Sequence, residues 1–205
     1  MKTTQGLHDA GQSLWLDNIT QSMLTGGTLR RYVEEFSITG LTSNPTIFDH
    51  AIGSSDDCDA LRDRLGIAVA KRAYAAYREL LDSDEWLRLA NAGARPQRLL
   101  CASTATKDPE ASDVLYIAAL AAPYTVNTMP EATLLAFAHH GEFGTMLPRD
   151  GGDAEVVLRQ FARAGIDADG LADTLQQEGA DAFVQSWNDL LACLKEKSGA
   201  VARVG

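Results

Sequence analysis

Cysteine is scarce in this chain. Cys58, Cys101 and Cys193 are an odd number at wide spacing, which indicates neither a disulfide framework nor a zinc site and fits a reducing cytoplasm. Positive charge is also in short supply. Lys and Arg total 18 against 28 Asp and Glu, for a net charge of −10, and such a surface repels phosphodiester backbones, which excludes nucleic acid as an expected partner. No run of about 18 apolar residues occurs, so no membrane span is expected. The segment Met1–Gly11 has no apolar stretch of the kind a secretory signal carries. Of the four histidines, His139 and His140 are adjacent and point in different directions on a helix, and His8 and His50 are far away. No metal ligand set and no cofactor follow from them. Neither an internal repeat nor a low-complexity linker is present.

What remains is ordinary globular composition, 45% hydrophobic and 22% charged over 205 residues, and a single domain spanning 1–205 is the expectation. Ser13-Leu14-Trp15-Leu16-Asp17 reads as a short buried strand that ends in a carboxylate. A helix follows over roughly Ile19–Glu35, interrupted near Gly26-Gly27. Ser37–Thr42 is a second strand, and the Asn44-Pro45 turn closes it, since proline restricts the preceding residue to extended backbone. The pattern is helical and polar from Thr46 to Leu65. Val69, Ala73, Tyr77 and Leu80 then recur every three or four residues, predicting an apolar helix face that runs to about Leu81. A short helix around Trp86–Ala90 ends near Gly93, a candidate C-cap. Leu99–Ser103 and Tyr124–Met129 are the third and fourth strands, and Pro130 opens a helix to His140. Residues 143–153 read as a loop. Beyond it the chain is helical, with Phe183, Trp187, Leu190, Leu191 and Leu194 on one stripe. Strands separated by helices indicate βαβ units and a parallel sheet. Four strands are too few to close a standard barrel, which usually needs about 250 residues.

Several segments carry a resemblance to one family. They are Ala10–Asp17, the run Gly40-Leu41-Thr42-Ser43-Asn44-Pro45-Thr46-Ile47-Phe48, Gly93–Arg98 with Ala102-Ser103-Thr104, and Thr125–Thr133, together with Ser186-Trp187 in the last helix. In these stretches the chain resembles transaldolases of the actinobacterial type. The resemblance implies an α/β fold of the TIM-type (β/α) barrel, here incomplete, with four parallel strands equivalent to strands one, two, seven and eight. Strand eight neighbours strand one in a closed barrel, so those four form one contiguous sheet. It further implies an internal gap near 62–68, where the helix after the second strand runs into the helix before the seventh. In the family the missing block holds the Schiff-base lysine on strand four, the acid/base glutamate on strand three and the arginine of the phosphate site on strand six.

The family reaction passes a dihydroxyacetone unit between sugar phosphates of the pentose phosphate pathway, through an iminium on a lysine amine. By the resemblance, Asp17 matches a proton-transferring aspartate; read by itself, it is an N-cap for the next helix. Thr42 and Asn44 match substrate-contacting residues, against a plain turn role for the asparagine. Ser103 matches a serine near the substrate phosphate. Lys107 is the one lysine in a loop at the C-terminal end of a strand, where barrel sites sit; its plain reading is a solvated loop residue. Arg95 and Arg98 precede the third strand and read as stabilising.

Two outcomes follow. One is a transaldolase-like protein, impaired because the amine is absent, with weak or vestigial binding of a sugar phosphate. The alternative is an active enzyme made by two half-barrels, with Lys107 recruited as amine or phosphate ligand. Unpaired edge strands favour a homo-oligomer in either case.

Overall fold

The computed structural model describes residues 3–17, 27–41 and 63–201. The chain forms two compact units, one of residues 1–44 with 58–160 and the other of residues 45–57 with 161–205.

The first unit is built on a sheet of four parallel strands among the described residues. They are β1 (Ser13–Leu16), β2 (Ile38–Leu41), β3 (Leu99–Cys101) and β4 (Thr125–Met129), in the order β2-β1-β4-β3. The last strand pairs directly with the first, in the order that the resemblance implies. Leu14 is opposite Asn127 and Leu16 opposite Met129, while Leu99 is opposite Thr125 and Cys101 opposite Asn127. α1 (Thr3–Asp9) precedes β1; parallel strands require crossovers, supplied here by α2 (Thr28–Phe36), α3 (Arg64–Asp82), α4 (Asp84–Asn91) and α5 (Leu115–Ala119), with α6 (Glu131–His140) following β4 and α7 (Ala154–Arg163) closing the series.

Alternation along β1 decides which way the sheet faces. Leu14 and Leu16 are buried, whereas Ser13, Trp15 and Asp17 are half-buried. The buried pair joins Leu7, Tyr32, Ile38, Ile117, Met129, Leu134 and Phe137 in one core under the helices. Trp15 lies on the other face, against Gly40; a Cβ at Gly40 would stand 2.6 Å from the indole. Only glycine allows the ring to lie over β2 at that point. At the N-terminal end of the strands, the buried Gln12 amide donates to Leu120 O and Thr125 Oγ1, both at 2.9 Å. Tyr124 N donates to Gly11 O at 3.0 Å.

Two local expectations need correction. β3 stops at Cys101 rather than Ser103, because Ser103 takes a left-handed backbone with φ 54 that no strand continues through. In α3 the buried residues are Ala68, Tyr74 and Arg78, not the stripe Val69, Ala73, Tyr77 and Leu80; Leu80 is 58% exposed. The stripe Phe183, Trp187, Leu190, Leu191 and Leu194 forms on a helix as expected, and its members are exposed, Trp187 by 60%. The helix end expected near Gly93 is found, and the structure adds two further caps. Gly93 has φ 96 one position past the cap of α4, Gly27 caps the start of α2, and Ser83 accepts the Trp86 N–H at 3.2 Å as an N-cap. The polar helical stretch expected over Thr46–Leu65 falls mostly outside the described residues.

In the second unit, α8 (Ala168–Val201) runs for 34 residues, about 51 Å at 1.5 Å per residue. Asp167 accepts the Asp169 N–H at its start at 3.1 Å. Side-chain bonds four residues apart, Gln177 to Asp181 at 3.1 Å and Gln185 to Asp189 at 2.8 Å, brace its surface. No helix among the described residues is long and apolar enough to cross a membrane.

Candidate functional site

All four strands run the same way, so their C-terminal ends form one edge of the sheet. In open α/β sheets and barrels this is the edge at which ligands bind. Asp17 stands there. Its N–H donates to Met129 O at 2.8 Å, which extends the β1–β4 ladder by one step and fixes the backbone of the residue. The alternation puts its side chain on the Trp15 face, away from the helix core, and the residue is half-buried.

Ser103 comes two residues after Cys101, level with Met129 by the register of β3 on β4. It is exposed. One strand separates β1 from β3, so the two backbones are roughly 10 Å apart at two strand spacings. Lys107 is exposed in the loop after β3. The structure thus brings Asp17, Ser103 and Lys107 to one end of the sheet. Thr42 and Asn44 lie outside the described residues.

Thr104 is the residue that sequence reasoning missed. It is buried, and its Oγ1 lies 2.8 Å from both Asn127 Oδ1 and Thr128 O. A hydroxyl carries one proton, so it donates to one of these acceptors. The contact ties the chain leaving β3 to the end of β4 and so holds the loop of Ser103 and Lys107 in place. Threonine beside a named serine was the only available signal, and its partners are more than 20 residues away. A second such tie joins Tyr32, whose hydroxyl donates to Glu131 Oε1 at the first turn of α6. Burial first, and then this carboxylate, push the Tyr32 hydroxyl above its ordinary pKa. Glu131 also sits where a helix N-terminus favours negative charge.

Two other nucleophile candidates are poorly suited to the edge. Burial raises the Cys101 thiol to about 11, so it stays protonated at neutral pH. Lys71 is on α3, with its Nζ 2.7 Å from Asp153 Oδ1.

A parallel sheet with helical crossovers and a polar C-terminal edge defines an α/β protein of the barrel type. Residues 55–194 match the model of the transaldolase/fructose-6-phosphate aldolase family, and the chain belongs to that family. It is 46% identical to a transaldolase of Parafrankia sp. (strain EAN1pec) over 145 residues, which are 70% of this chain and 39% of that protein. Identity to a Thermobifida fusca transaldolase is 47% over 139 residues, covering 67% and 38%. With a Saccharopolyspora erythraea transaldolase it is 39% over 184 residues, covering 89% and 50%. These matches span half or less of each relative's length. The barrel is accordingly incomplete, with four strands described instead of eight.

Proposed function

We propose that this chain is a transaldolase-derived protein that does not carry out dihydroxyacetone transfer by the lysine route. One observation carries the reading: none of the four strands contains a lysine. The lysines of the sequence are Lys2, Lys71, Lys107, Lys195 and Lys197; Lys71 is on α3, Lys107 in a loop, and Lys195 and Lys197 on α8. An amine that attacks a ketone must be held at the edge where the sugar sits, and the iminium it forms is the electron sink of the whole reaction. Without it, the remaining polar groups hold a sugar phosphate weakly. Asp17, Thr42 and Asn44 contact its hydroxyls, while Ser103 and Lys107 contact its phosphate. The gap relative to the family falls near 62–68. The test combines a transaldol transfer assay with borohydride trapping on a ketose phosphate, read by intact mass. We expect no turnover and no adduct; either one overturns the reading.

The strand order supports a second reading. β2 and β3 are the edges of a contiguous parallel sheet, so two copies related by a two-fold axis would pair edge to edge into eight strands. Lys107 is then the amine, with a catalytic edge contributed by each copy. This requires an assembly of at least twice the chain's 22.0 kDa in light scattering and a borohydride adduct lost in Lys107→Met. A monomeric mass, or an adduct that persists in that variant, removes it.

A further inference from the structure

At the opposite end of the sheet, two arginines stand out in a chain of net charge −10. Arg64 and Lys71 pair with Asp153, and Arg149 pairs with Asp82. Arg78 and Arg98 have no carboxylate within ion-pair distance among the described residues. Arg78 is also 9% exposed, and its buried Nε has no hydrogen-bond partner. Its guanidinium carbon is 4.7 Å from the centroid of the Tyr124 ring. Stacking on an aromatic face offsets part of the cost of burying a cation, but it leaves the N–H donors unfilled.

Arg98 immediately precedes β3. Leu99 is opposite Thr125, so Arg98 and Tyr124 each stand one residue before a paired position, at the same end of the two strands. Its Nη1 donates to Ser13 Oγ across the end of β4, leaving further guanidinium donors on an exposed side chain. The Tyr77 hydroxyl closes the cluster, donating to Tyr124 O at 3.4 Å. Burial raises the Tyr77 pKa, while Arg78 first and then Arg98 act against it, in keeping with both cations being near its ring. Tyr124 itself has φ 64, a costly conformation for a bulky residue. It is pinned from both sides by the Gly11 and Tyr77 contacts.

We propose that Arg78, stacked on Tyr124, and Arg98, just before β3, both at the N-terminal end of the sheet, form a binding site for a doubly charged oxyanion of the phosphate-monoester class. Two guanidinia match the charge of a phosphate, about −1.5 to −2 at neutral pH, and their forked donors suit its oxygens. Arg78 forms the buried back of the site and Arg98 its exposed mouth. The site lies at the other end of the strands from Asp17, Ser103 and Lys107, so it is separate from the phosphate contact proposed for the substrate.

The probe is inorganic phosphate, titrated into the full 205-residue chain by calorimetry and by thermal shift, with chloride and acetate at matched ionic strength as controls. We expect saturable phosphate binding and a raised melting temperature, with the controls inactive. Arg78→Met and Arg98→Met should each weaken binding at least about tenfold, since each removes hydrogen bonds to a charged group. Lys195→Met, at an exposed position on α8, should leave it unchanged. Arg98 is exposed, so its variant keeps the test alive if Arg78→Met does not fold. No saturable binding, equal response to chloride or acetate, binding unaffected by both arginine changes, or binding lost in Lys195→Met instead would each overturn the proposal.

Discussion

On one face of the four-stranded sheet, Leu14, Leu16 and Met129 are fully buried. On the other, Trp15 is half-buried over Gly40 and Leu100 is 44% exposed. The same strands make both faces, so strand propensity does not explain the difference. Each βα unit brings its own helix, and α1, α2, α5 and α6 bring Leu7, Tyr32, Ile117, Leu134 and Phe137 onto the first face. The helix-borne residues of that core all lie on the first face. In a closed barrel the second face is filled by side chains from strands on the far side, and the sheet among the described residues has four strands. Only central positions such as Val126 and Thr128 are buried on that face. A βα repeat thus completes its outer core locally, whereas its inner core is a property of the whole ring.

The largest effects should come from testing that asymmetry directly. Leu16→Ala removes a fully buried side chain from the helix-facing core, and a loss of about 2–5 kcal/mol is expected in urea denaturation. Leu100→Ala on the opposite face should cost less than about 1 kcal/mol, as substitutions at exposed positions do. If the two costs are equal, Leu100 is covered in solution. A midpoint that then depends on protein concentration would identify a second copy as the cover.

A smaller effect tests how tightly the second face is built where it is built at all. Gly40→Ala places a Cβ 2.6 Å from the Trp15 ring, and overpacking of this kind costs about 1–3 kcal/mol. Trp15→Leu in the same chain should recover most of that loss, giving a clear coupling energy in a double-mutant cycle. Additive losses would mean that the ring does not lie on β2 in solution, and the inner face would then be open along its whole length.

The strands were legible from the sequence because each is a short apolar run bounded by turn residues, and the β4–β1 pairing followed from the resemblance. What was not legible depended on partners distant in sequence. Two stripes of α3 are apolar enough to be buried, and periodicity favoured Val69, Ala73, Tyr77 and Leu80. The protein buries Tyr74 and Arg78 instead, because long amphipathic side chains can cover a core and still reach a polar partner: Pro123 O for the Tyr74 hydroxyl, and the Tyr124 ring for Arg78. The stripe on α8 was read correctly as helical, but amphipathicity says only that an apolar face exists, not that this chain covers it. At the candidate site, Asp17 and Ser103 were visible as strand-end residues. Thr104, which anchors their edge, was not, since nothing local marks a threonine whose partners are on β4.

The smallest expected effect concerns the ion pair that fastens α3 to the loop before α7. The Lys71 ammonium bonded to Asp153 holds the Asp153 carboxyl below its ordinary pKa; burial opposes this, and the charges of Lys71 and Arg64 add to it. A carboxyl whose pKa is depressed by folding stabilises the native state when ionised. That contribution is fully present above the ordinary carboxylate pKa and fades as the pH falls through the lower native value. The Asp153 side chain is 52% exposed, so solvent screening keeps the contribution below about 1 kcal/mol. Asp153→Asn should therefore lower stability slightly at neutral pH and leave it unchanged in strong acid, and added salt should shrink the difference. Denaturation midpoints across the acid range provide the check. A gap that widens as the pH falls would mean that the aspartate is opposed by its surroundings rather than held by Lys71, and the link between α3 and the loop would have to be sought in the neighbouring Arg149–Asp82 pair.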